Sequence, residues 1–384
     1  MINTQRLQPP SQTRVVVAMS GGVDSSVAAA LLVQQGYQVI GMMMRLWSEP
    51  GIGANAPLNR CCTPDQMADA RRVADLLQIP FYVVDVKDYF RRTIVQFFIN
   101  EHARGRTPNP CIECNREIRF TYLLQRALAL DADFLATGHY ARIRQTAAGY
   151  QLLTGRDLAK DQSYVLHVLS QAELERVLFP VGEYTKPEVR QIATELGLLP
   201  VAHKSESMDL CFLGDGNYHR FLTAHAPQLA APGPILDRRG RELGRHTGLS
   251  FYTIGQRKGL RIAAPEPLFV LGKDAARNAL IVGTRAEAGQ QTMEVQQVNW
   301  IAGKMPTLPY ATTVKIRYKA RPVPAVLTTF DGQRLHVTLD EPLPGITPGQ
   351  GAVFYDGEVC LGGGLIADMQ FSIDAQPVSY LEKA

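Results

Sequence analysis

Residues 14–33 read RVVVAMSGGVDSSVAAALLV, and this stretch decides the first part of the fold. The apolar run at residues 14–19 predicts a buried strand, and the run at residues 27–33 predicts a helix. The turn between them, SGGVDSS at residues 20–26, has two glycines that let the backbone approach an anion without a Cβ in the way. The following helix directs its free N–H groups and positive dipole end to the same place. This order of strand, turn and helix predicts a phosphate-binding loop.

The loop lacks the signatures of two common nucleotide sites. A Walker A loop needs a lysine in G-x-x-x-x-G-K-[ST], and a dinucleotide fingerprint needs G-x-G-x-x-G; neither pattern is present here. The sequence SGGVDSS resembles the pyrophosphate-binding loop of the ATP pyrophosphatases, which cleave ATP between its α- and β-phosphates. This resemblance implies that the chain adenylates a carbonyl oxygen.

Length and composition indicate a soluble globular protein of two or three domains. The chain has 384 residues, of which 46% are hydrophobic and 20% charged, and its net charge is +4. This charge permits nucleic-acid binding without demanding it. No apolar run approaches the ~18 residues of a membrane span, and the N-terminus lacks a signal-peptide core, so we expect a cytoplasmic protein. Its six cysteines are then expected to be reduced, catalytic or metal-binding.

Strand and helix patterns alternate through the first half of the chain. This alternation predicts an α/β fold with a doubly wound parallel sheet, in which ligands bind at the carboxyl ends of the strands. Ser20, Met44 and Gly138 lie at or just past three such ends, so we expect them to line one nucleotide site. Besides the first strand and helix, the pattern predicts strands at residues 38–44, 81–86 and 133–137 and helices at residues 65–78, 88–102 and 120–128.

The residue pattern of the sequence changes after about residue 232. Glycine and proline recur every few residues, and short β-rich runs replace the helical patterns. The runs at residues 312–318, 335–339 and 351–355 predict a small C-terminal β-barrel or sandwich. We therefore predict three domains, which are a catalytic domain at residues 1–214, a small central domain at 215–290 and a β-barrel domain at 291–384.

A C-x-x-C pair, Cys111 and Cys114, lies within the sequence TPNPCIECNREIRF. We expect a helix to start near Asn115, which places the pair at a helix N-terminus close to Arg116 and Arg119. Such surroundings lower the pKa of a thiol and make it partly thiolate, as a nucleophile requires.

The other four cysteines leave alternatives open. Cys61 and Cys62 could complete a structural zinc site with the C-x-x-C pair, because such a site needs four ligands. Cys211 and Cys360 stand alone in apolar or β-rich segments, where a cysteine is usually a buried core residue. The residues alone give neither of them a chemical role.

Seven segments, spread over almost the whole chain, resemble the tRNA-specific 2-thiouridylases. Enzymes of this family place sulfur on C2 of the wobble uridine of certain tRNAs. Several of the segments are specific to this family rather than to ATP pyrophosphatases generally. They are AMSGGVDSS (18–26), GRTPNPCIECNREIRF (105–120), ATGHYARI (136–143), KDQSYVL (160–166), SMDLCFLG (207–214), GQRKGL (255–260) and TPGQGAVFYDGEVCLGGG (347–364).

The resemblance implies a role for each matching residue. Cys114 would be the nucleophile, and Cys211 would carry sulfur as a persulfide. ATP would be held by Ala18, Met19, Ser20, Gly21, Gly22, Val23, Asp24, Ser25, Met44 and Gly138. Transfer RNA would be contacted by Asn109, Pro110, Cys111, His139, Lys160, Asp161, Gln162, Arg317, Tyr318 and Gln350.

The resemblance also implies the reaction and its partners. ATP with Mg²⁺ would adenylate the C2 oxygen of uridine, and persulfide sulfur would then replace AMP and leave a Cys114–Cys211 disulfide. The target base must turn out of its stack to reach the site. The expected partners are the tRNAs for Lys, Glu and Gln, and a sulfur-carrier protein or cysteine desulfurase that supplies the sulfur.

Cys111 departs from the pattern of some family members, which have an aspartate with an acid–base role at this position. A thiol cannot be assumed to do that work, so the acid–base residue stays open. Cys111, Cys114 and Cys211 could together ligate a [4Fe–4S] cluster. Two other classes of function also remain, namely a tRNA-binding protein without activity and a different ATP pyrophosphatase such as an amidating ligase.

Overall fold

The computed structural model describes residues 9–47, 49, 63–204, 210–213 and 215–368. These residues form three β-sheets and the helices that pack on them. No helix within the described ranges is long and apolar enough to cross a membrane.

The strands are numbered in chain order. They are β1 (Arg14–Ala18), β2 (Gln38–Arg45), β3 (Phe81–Asp85), β4 (Phe134–Ala136), β5 (Ala141–Thr146), β6 (Gly149–Thr154), β7 (Val177–Leu178), β8 (Gly233–Leu236), β9 (Glu242–His246), β10 (Phe269–Asp274), β11 (Ala279–Gly283), β12 (Gly289–Trp300), β13 (Tyr310–Lys315), β14 (Val323–Phe330), β15 (Arg334–Pro344), β16 (Gly351–Asp356) and β17 (Val359–Ile366).

The α-helices are also numbered in chain order. They are α1 (Val23–Gln34), α2 (Pro64–Leu76), α3 (Lys87–Phe90), α4 (Gln96–Ala103), α5 (Pro110–Glu113), α6 (Leu124–Leu128), α7 (Ser163–Leu166), α8 (Gln171–Arg176), α9 (Lys186–Glu195), α10 (Leu199–Ala202) and α11 (Tyr218–His225). Two π-helical stretches, Arg91–Val95 and Cys114–Leu123, connect α3 to α4 and α5 to α6. Single 3₁₀ turns occur at Pro10–Gln12, Pro227–Ala230, Leu249–Phe251 and Ala286–Ala288.

The first sheet has five parallel strands in the order β3-β2-β1-β4-β7. Its central strand, β1, is buried on both faces. Val15 and Val17 pack against helices α1 and α9, and Val16 packs against the opposite layer, which includes α6. A strand buried on both faces reads as a continuous apolar run, which is why the sequence revealed it. The predicted doubly wound parallel sheet is confirmed.

A hairpin of β5 and β6 leaves this sheet and joins another one. β6 pairs with β17 near the C-terminal end of the chain, through the pairs Leu153–Val359 and Leu152–Cys360. The sequence analysis did not predict this hairpin, because its partner strand lies about 200 residues further along the chain. The hairpin connects the first sheet to the C-terminal sheet.

The second sheet forms the small central domain. Its order is β10-β11-β8-β9, with β8 and β11 parallel and the other pairs antiparallel. Ile235, Val270 and Leu280 from this sheet share a buried cluster with Phe90 and Cys114 of the first half of the chain. The central domain therefore packs directly on the helix that carries Cys114.

The C-terminal strands form a closed antiparallel barrel. Six strands follow one another in the order β12-β15-β14-β13-β16-β17, and pairing of β12 with β17 closes the ring. Alternate residues point inward to a core that includes Val314, Leu327 and Phe354, none of which is exposed. The predicted C-terminal β-barrel is confirmed.

Two buried polar groups meet where α4 packs on the central sheet. The atoms Lys273 Nζ and His102 Nδ1 are shielded from solvent and have no hydrogen-bond partner among the described residues. Burial lowers the pKa of Lys273 to about 7. Burial, followed by the charge of Lys273, lowers the pKa of His102 to about 3. Both groups are therefore harder to protonate in the folded protein than in the unfolded chain.

The lowered pKa of Lys273 predicts that the free energy of unfolding increases with pH between about 7 and 10. Over that window the unfolded chain keeps the Lys273 proton and the folded protein has lost it, so raising the pH favours the folded state by at most ~1.4 kcal/mol per pH unit. We expect Lys273→Met to unfold at higher urea concentrations at pH 7 and to show a flatter pH profile. Urea titrations of both proteins from pH 7 to 9 measure this difference. Parallel profiles would contradict the assignment.

Candidate functional site

The phosphate-binding loop lies between the end of β1 and the start of α1. Ser25 Oγ accepts a hydrogen bond from Ser20 N at 3.1 Å and lies 3.2 Å from Ser20 Oγ. Ser26 Oγ donates to the carbonyl of Gly22 at 2.9 Å. Gly22 is the N-cap of α1 and has no side chain to cap the first turn. The backbone N–H groups at this helix end are therefore available to an anion.

Two glycines in the site are required by close backbone approaches. Gly21 has φ +72°, and a Cβ there would lie 2.2 Å from the carbonyl oxygen of Gln66 at the start of α2. A Cβ on Gly138, just past β4, would lie 2.6 Å from Ser25 N. The loop is thus pressed between α2 and the turn after β4, and no larger residue fits at either position.

The single carboxylate of the loop, Asp24, is held by residues from two other parts of the chain. Its oxygens accept hydrogen bonds from Lys186 Nζ at 2.7 and 2.8 Å and from the hydroxyl of Tyr140 at 2.7 Å. The Lys186 side chain is only 9% exposed. Lys186 is the first residue of helix α9, whose N-terminus has a capping box formed by Thr185 and Glu188. A buried charge of this kind stabilises the loop only with its partner in place.

A second lysine approaches the same loop from the end of α10. Lys204 Nζ donates to the carbonyl of Gly21 at 3.0 Å and also forms an ion pair with Asp69 of α2. The loop itself has no lysine, yet two lysines distant in sequence supply positive charge to it. Sequence reasoning missed both, since only the capping pattern T-x-x-E at residues 185–188 signals that a helix starts near the site.

The other predicted ATP-binding residues lie around the loop. Met19 and Val23 are buried in the core beneath it, so only their backbone atoms can face a ligand. Ala18 and Met44 are half-buried on the opposite face of the sheet, and Met44 lies near the end of β2. The strand order therefore brings the predicted residues of β1, β2 and β4 to one edge of the sheet.

The helix with the C-x-x-C pair begins earlier than the sequence indicated. It starts at Pro110 rather than near Asn115, because the Asn109 side chain accepts a hydrogen bond from Cys111 N at 3.1 Å and caps it. Cys111 is consequently in the first turn and exposed, whereas Cys114 is one turn further and 6% exposed.

Cys114 and Cys211 belong to the same apolar cluster. Cys114 is a buried member, and the half-buried Cys211 packs against the cluster beside Phe212, which is 1% exposed. The two cysteines are 97 positions apart in sequence, and packing of the central domain brings their segments to one region. Cys61 and Cys62 lie outside the described residues.

The remaining cysteine, Cys360, is a core residue of the barrel sheet. It is 1% exposed, and burial raises the pKa of its thiol well above the usual range. This position agrees with the structural role expected from its β-rich segment.

Within the described residues, no three His, Cys, Asp or Glu side chains form a group that could hold a metal ion. Cys111, Cys114 and Cys211 as placed therefore do not fit the [4Fe–4S] cluster that we considered. Nor do the described residues complete a structural zinc site.

Several predicted tRNA contacts are bonded inside the protein. Asp161 is 5% exposed and accepts hydrogen bonds from Gly155 N, Ser163 N and Ser163 Oγ, and Lys315 Nζ lies 3.3 Å away. Gln162 Oε1 accepts from Tyr140 N at 2.9 Å. These contacts stabilise the loop that also carries the half-buried Lys160.

His139 is buried as well. Its Nδ1 lies 2.7 Å from Thr137 Oγ1, and burial, with a smaller effect of Arg119, holds its pKa well below the usual range. The imidazole is therefore neutral near pH 7 and offers one donor and one acceptor.

Arg317 links the central domain to the barrel. Its Nη2 donates to the carbonyls of Ile254 and Gly345 at 2.9 and 3.0 Å and to Thr347 Oγ1 at 3.2 Å. The neighbouring Tyr318 ring lies 6.2 Å from the ring of Tyr164. Both predicted tRNA contacts thus lie at the junction of the domains.

The barrel also holds the segment that precedes the C-x-x-C pair. Gln350 Nε2 donates to the Thr107 carbonyl at 2.7 Å, and Thr107 N donates to the Pro348 carbonyl at 3.0 Å. Beyond it, Asn115 Nδ2 donates to the Val165 carbonyl at 3.0 Å. The Cys114 helix is therefore positioned by contacts on both of its sides.

We expect Gln350→Ala to loosen this segment even without tRNA. Because one hydrogen bond is lost, we expect iodoacetamide to alkylate Cys114 roughly two- to tenfold faster. Mass spectrometry of the modified peptide measures that rate in the free protein. Gln333→Ala, in an exposed barrel turn, is the control and should leave it unchanged. Equal rates for all three proteins would show that Gln350 does not position the helix.

Three family models match successive parts of the chain. The "tRNA methyl transferase HUP domain" matches residues 13–215, the "tRNA methyl transferase PRC-barrel domain" matches 219–284, and the "Aminomethyltransferase beta-barrel domain" matches 290–366. Among solved structures, the "U34-tRNA thiolase NcsA from Methanococcus maripaludis with its [4Fe-4S] cluster" is 22% identical with a TM-score of 0.35, over 58% of this chain and 67% of that chain.

Curated relatives match almost the full length. The tRNA-specific 2-thiouridylase MnmA of Magnetococcus marinus is 49% identical over 356 residues, which are 92% of this chain and 98% of that protein. The protein of the same name from Roseiflexus castenholzii is 46% identical over 370 residues, which are 92% of this chain and 99% of that protein. On this similarity, the chain belongs to the family of tRNA-specific 2-thiouridylases.

Proposed function

We propose that this protein thiolates C2 of the wobble uridine in tRNA at the expense of ATP. The observation that carries the proposal is the extended identity with curated 2-thiouridylases, combined with Cys114 and Cys211 in one cluster. An amidating ligase would share the phosphate loop without needing these two cysteines. A tRNA-binding protein without activity would need neither feature.

The loop would stabilise pyrophosphate as it leaves ATP. The uracil C2 carbonyl is a poor electrophile, and its oxygen leaves readily only after it has received AMP. The open N-terminus of α1, with Lys186 and Lys204 behind the loop, supports stabilisation of the negative charge that develops on pyrophosphate. Mg²⁺, when bound, would neutralise phosphate charge, and Asp24 is the carboxylate of the loop that could hold it if it exchanged its bonds with Lys186 and Tyr140.

Sulfur would then reach C2 from a persulfide on Cys211. The terminal sulfur attacks C2 and AMP departs with the former C2 oxygen. The Cys114 thiolate next attacks Cys211 Sγ, which breaks the sulfur–sulfur bond, releases 2-thiouridine and leaves a Cys114–Cys211 disulfide. Alternatively, Cys114 attacks the persulfide first and releases hydrosulfide as the nucleophile. Either route ends in the same disulfide, and an external reductant must reduce it before the next turnover.

The surroundings of Cys114 would receive the target base. Asn109, Pro110 and Cys111 begin the helix that carries Cys114, and the neutral His139 could hydrogen-bond a nucleotide without adding charge. The exposed Cys111 would stand where some members of the family have an acid–base aspartate. Lys160, Arg317, Tyr318 and Gln350 would contact the tRNA beyond the base.

The finer partners are part of this proposal. The substrates would be the tRNAs for Lys, Glu and Gln, the sulfur would come from a sulfur-carrier protein or a cysteine desulfurase, and the reaction would take place in the cytoplasm. The proposed route uses thiols throughout, because Cys114 and Cys211 lie in one cluster. Absorbance near ~400 nm together with bound iron in anaerobically purified protein would contradict this choice.

The test is a complete reaction in vitro. The protein is incubated with unmodified tRNA, ATP, Mg²⁺, a sulfur source and a reductant, and the tRNA is digested for nucleoside analysis. We expect 2-thiouridine at the wobble position and release of AMP and pyrophosphate. Absence of thiolated nucleoside under reducing, anaerobic conditions would overturn the proposal.

A further inference from the structure

A cavity of about 630 Å³ opens at the carboxyl end of β3, apart from the phosphate loop. Its volume is in the range of small-ligand sites. It lies between the segment that follows β3 and the helix that carries Cys114. We call it the β3 cavity, and its lining residues are Asp85, Val86, Lys87, Asp88, Tyr89, Arg92, Thr121, Tyr122 and Gln125.

The β3 cavity lies along the same helix face as Cys114. Cys114, Ile118 and Tyr122 are spaced by four residues, so they lie one above another on one side of the helix. Ile118 between them is completely buried, and all three pack with the same apolar cluster. Tyr122 is thus eight residues further along the same helix than Cys114.

The wall of the cavity is aromatic. The rings of Tyr89 and Tyr122 stack with their centroids 5.2 Å apart and an angle of 27° between their planes. The guanidinium of Arg126 lies 5.2 Å from the Tyr122 centroid. Tyr89 is held by a hydrogen bond from its hydroxyl to Glu117 at 3.3 Å. Tyr122 is therefore the middle of a stack with Tyr89 and Arg126, and an unpaired base would extend this stack at one end, as bases do on rings and guanidinium planes in protein–RNA complexes.

The polar lining fits the edge of a base and its phosphate. The exposed Arg92 provides a cation, whereas Lys87 forms an ion pair with Asp85 at 3.6 Å. Gln125 provides an exposed neutral donor and acceptor. Asp88 is a carboxylate that can accept from the exocyclic amine of a base.

We propose that the β3 cavity binds one unpaired base of the tRNA that neighbours the target uridine. This inference rests on the proposed function, because it requires tRNA as the substrate. If an adjacent nucleotide leaves the anticodon stack together with the target base, the β3 cavity is on the same helix as Cys114 and can receive it. The cavity holds that nucleotide further along the helix than Cys114 and so fixes the direction in which the anticodon loop crosses it.

The experiment combines protein and RNA changes in one binding assay. Tyr122→Ala removes the ring, Tyr122→Phe keeps it as the matched control, and Gln125→Ala and Arg92→Ala alter exposed lining residues that the fold does not need. The RNAs are an unmodified anticodon stem-loop and versions with an abasic site at each position next to the target uridine. Dissociation constants come from fluorescence anisotropy at one fixed salt concentration, and circular dichroism checks the fold of every variant.

We expect Tyr122→Ala to weaken binding of the stem-loop about 5- to 150-fold and Tyr122→Phe to leave it nearly unchanged. One of the abasic RNAs should bind the unchanged protein more weakly by the same factor. Combining that RNA with Tyr122→Ala should weaken binding no further. If Tyr122→Ala unfolds, the same non-additivity with Gln125→Ala and Arg92→Ala supports the proposal.

Other results would overturn it. If the affinity losses from the protein variant and from the abasic RNA add at every position, no base enters the cavity. Unchanged binding by all lining variants would show the same. Impaired sulfur loading of Cys211 with normal RNA binding would assign the cavity to a protein partner instead. Failure of the unchanged protein to bind any stem-loop would overturn the proposed function together with this inference.

Discussion

Replacing Cys211 by serine is expected to abolish formation of 2-thiouridine while binding of ATP and tRNA survives. A serine hydroxyl cannot hold a sulfane sulfur, so the activated uridine would have no sulfur to accept. Serine is nearly isosteric with cysteine, and Cys211 packs at the edge of its cluster rather than inside it. The fold should therefore persist. Nucleoside analysis after a full reaction measures the loss, which we expect to be at least ~10³-fold because a covalent intermediate is removed.

The same substitution at Cys360 is the control for removing a thiol. Cys360 is buried in the barrel sheet, and no step of the proposed reaction uses it. Cys360→Ser should therefore retain thiolation even if it melts at a lower temperature. Undiminished activity of Cys211→Ser would show that sulfur does not travel through this residue. Loss of ATP binding in Cys211→Ser would show that the change acts through the fold.

Replacing Gly21 by alanine is expected to weaken ATP binding by about 5- to 150-fold, because strain of this kind costs ~1–3 kcal/mol. The new Cβ would lie 2.2 Å from the carbonyl oxygen of Gln66, so the loop or α2 must move. Movement of the loop would also disturb the bond between Lys204 and the Gly21 carbonyl. Isothermal titration with ATP and Mg²⁺ measures the change in affinity.

Gly36→Ala is the control that places a side chain on a left-handed backbone conformation without a clash. Gly36 has φ +83°, close to the +72° of Gly21, but nothing lies within 4 Å of the position that its Cβ would take. This control should lose some stability and no ATP affinity. If both variants bind ATP equally well, the close packing of the loop against α2 has no part in nucleotide binding.

The local elements were predictable from the sequence because their signals are short-range. The strands β1 to β4 and the helix α2 agree with the predicted segments to within about two residues at each end, since buried runs and helical spacing need only neighbouring residues. The start of the Cys114 helix was wrong by five residues. The hydrogen bond that Cys111 N donates to the Asn109 side chain caps the helix and sets its start, and the prolines nearby did not indicate this bond.

The predicted domain limits at residues 1–214, 215–290 and 291–384 stay predictions. The roles of the individual site residues are likewise predictions, which the variants described above test. The structure adds the bonds that several of these residues make within the protein, such as those of Asp161 and Arg317. Variants at these positions therefore need a stability measurement beside the tRNA-binding assay.

The sequence by itself determined the phosphate loop, the parallel sheet, the barrel and the family. Each depends on residues that are consecutive or regularly spaced, and local chemistry is enough to specify them. Only the tertiary structure decided that Lys186 and Lys204 approach the loop, that Gln350 holds the segment before Cys111, and that Cys114 and Cys211 share one cluster. These contacts join residues that are 97 to 243 positions apart. Folding of the whole chain brings such residues together, and no local pattern records which of them will meet.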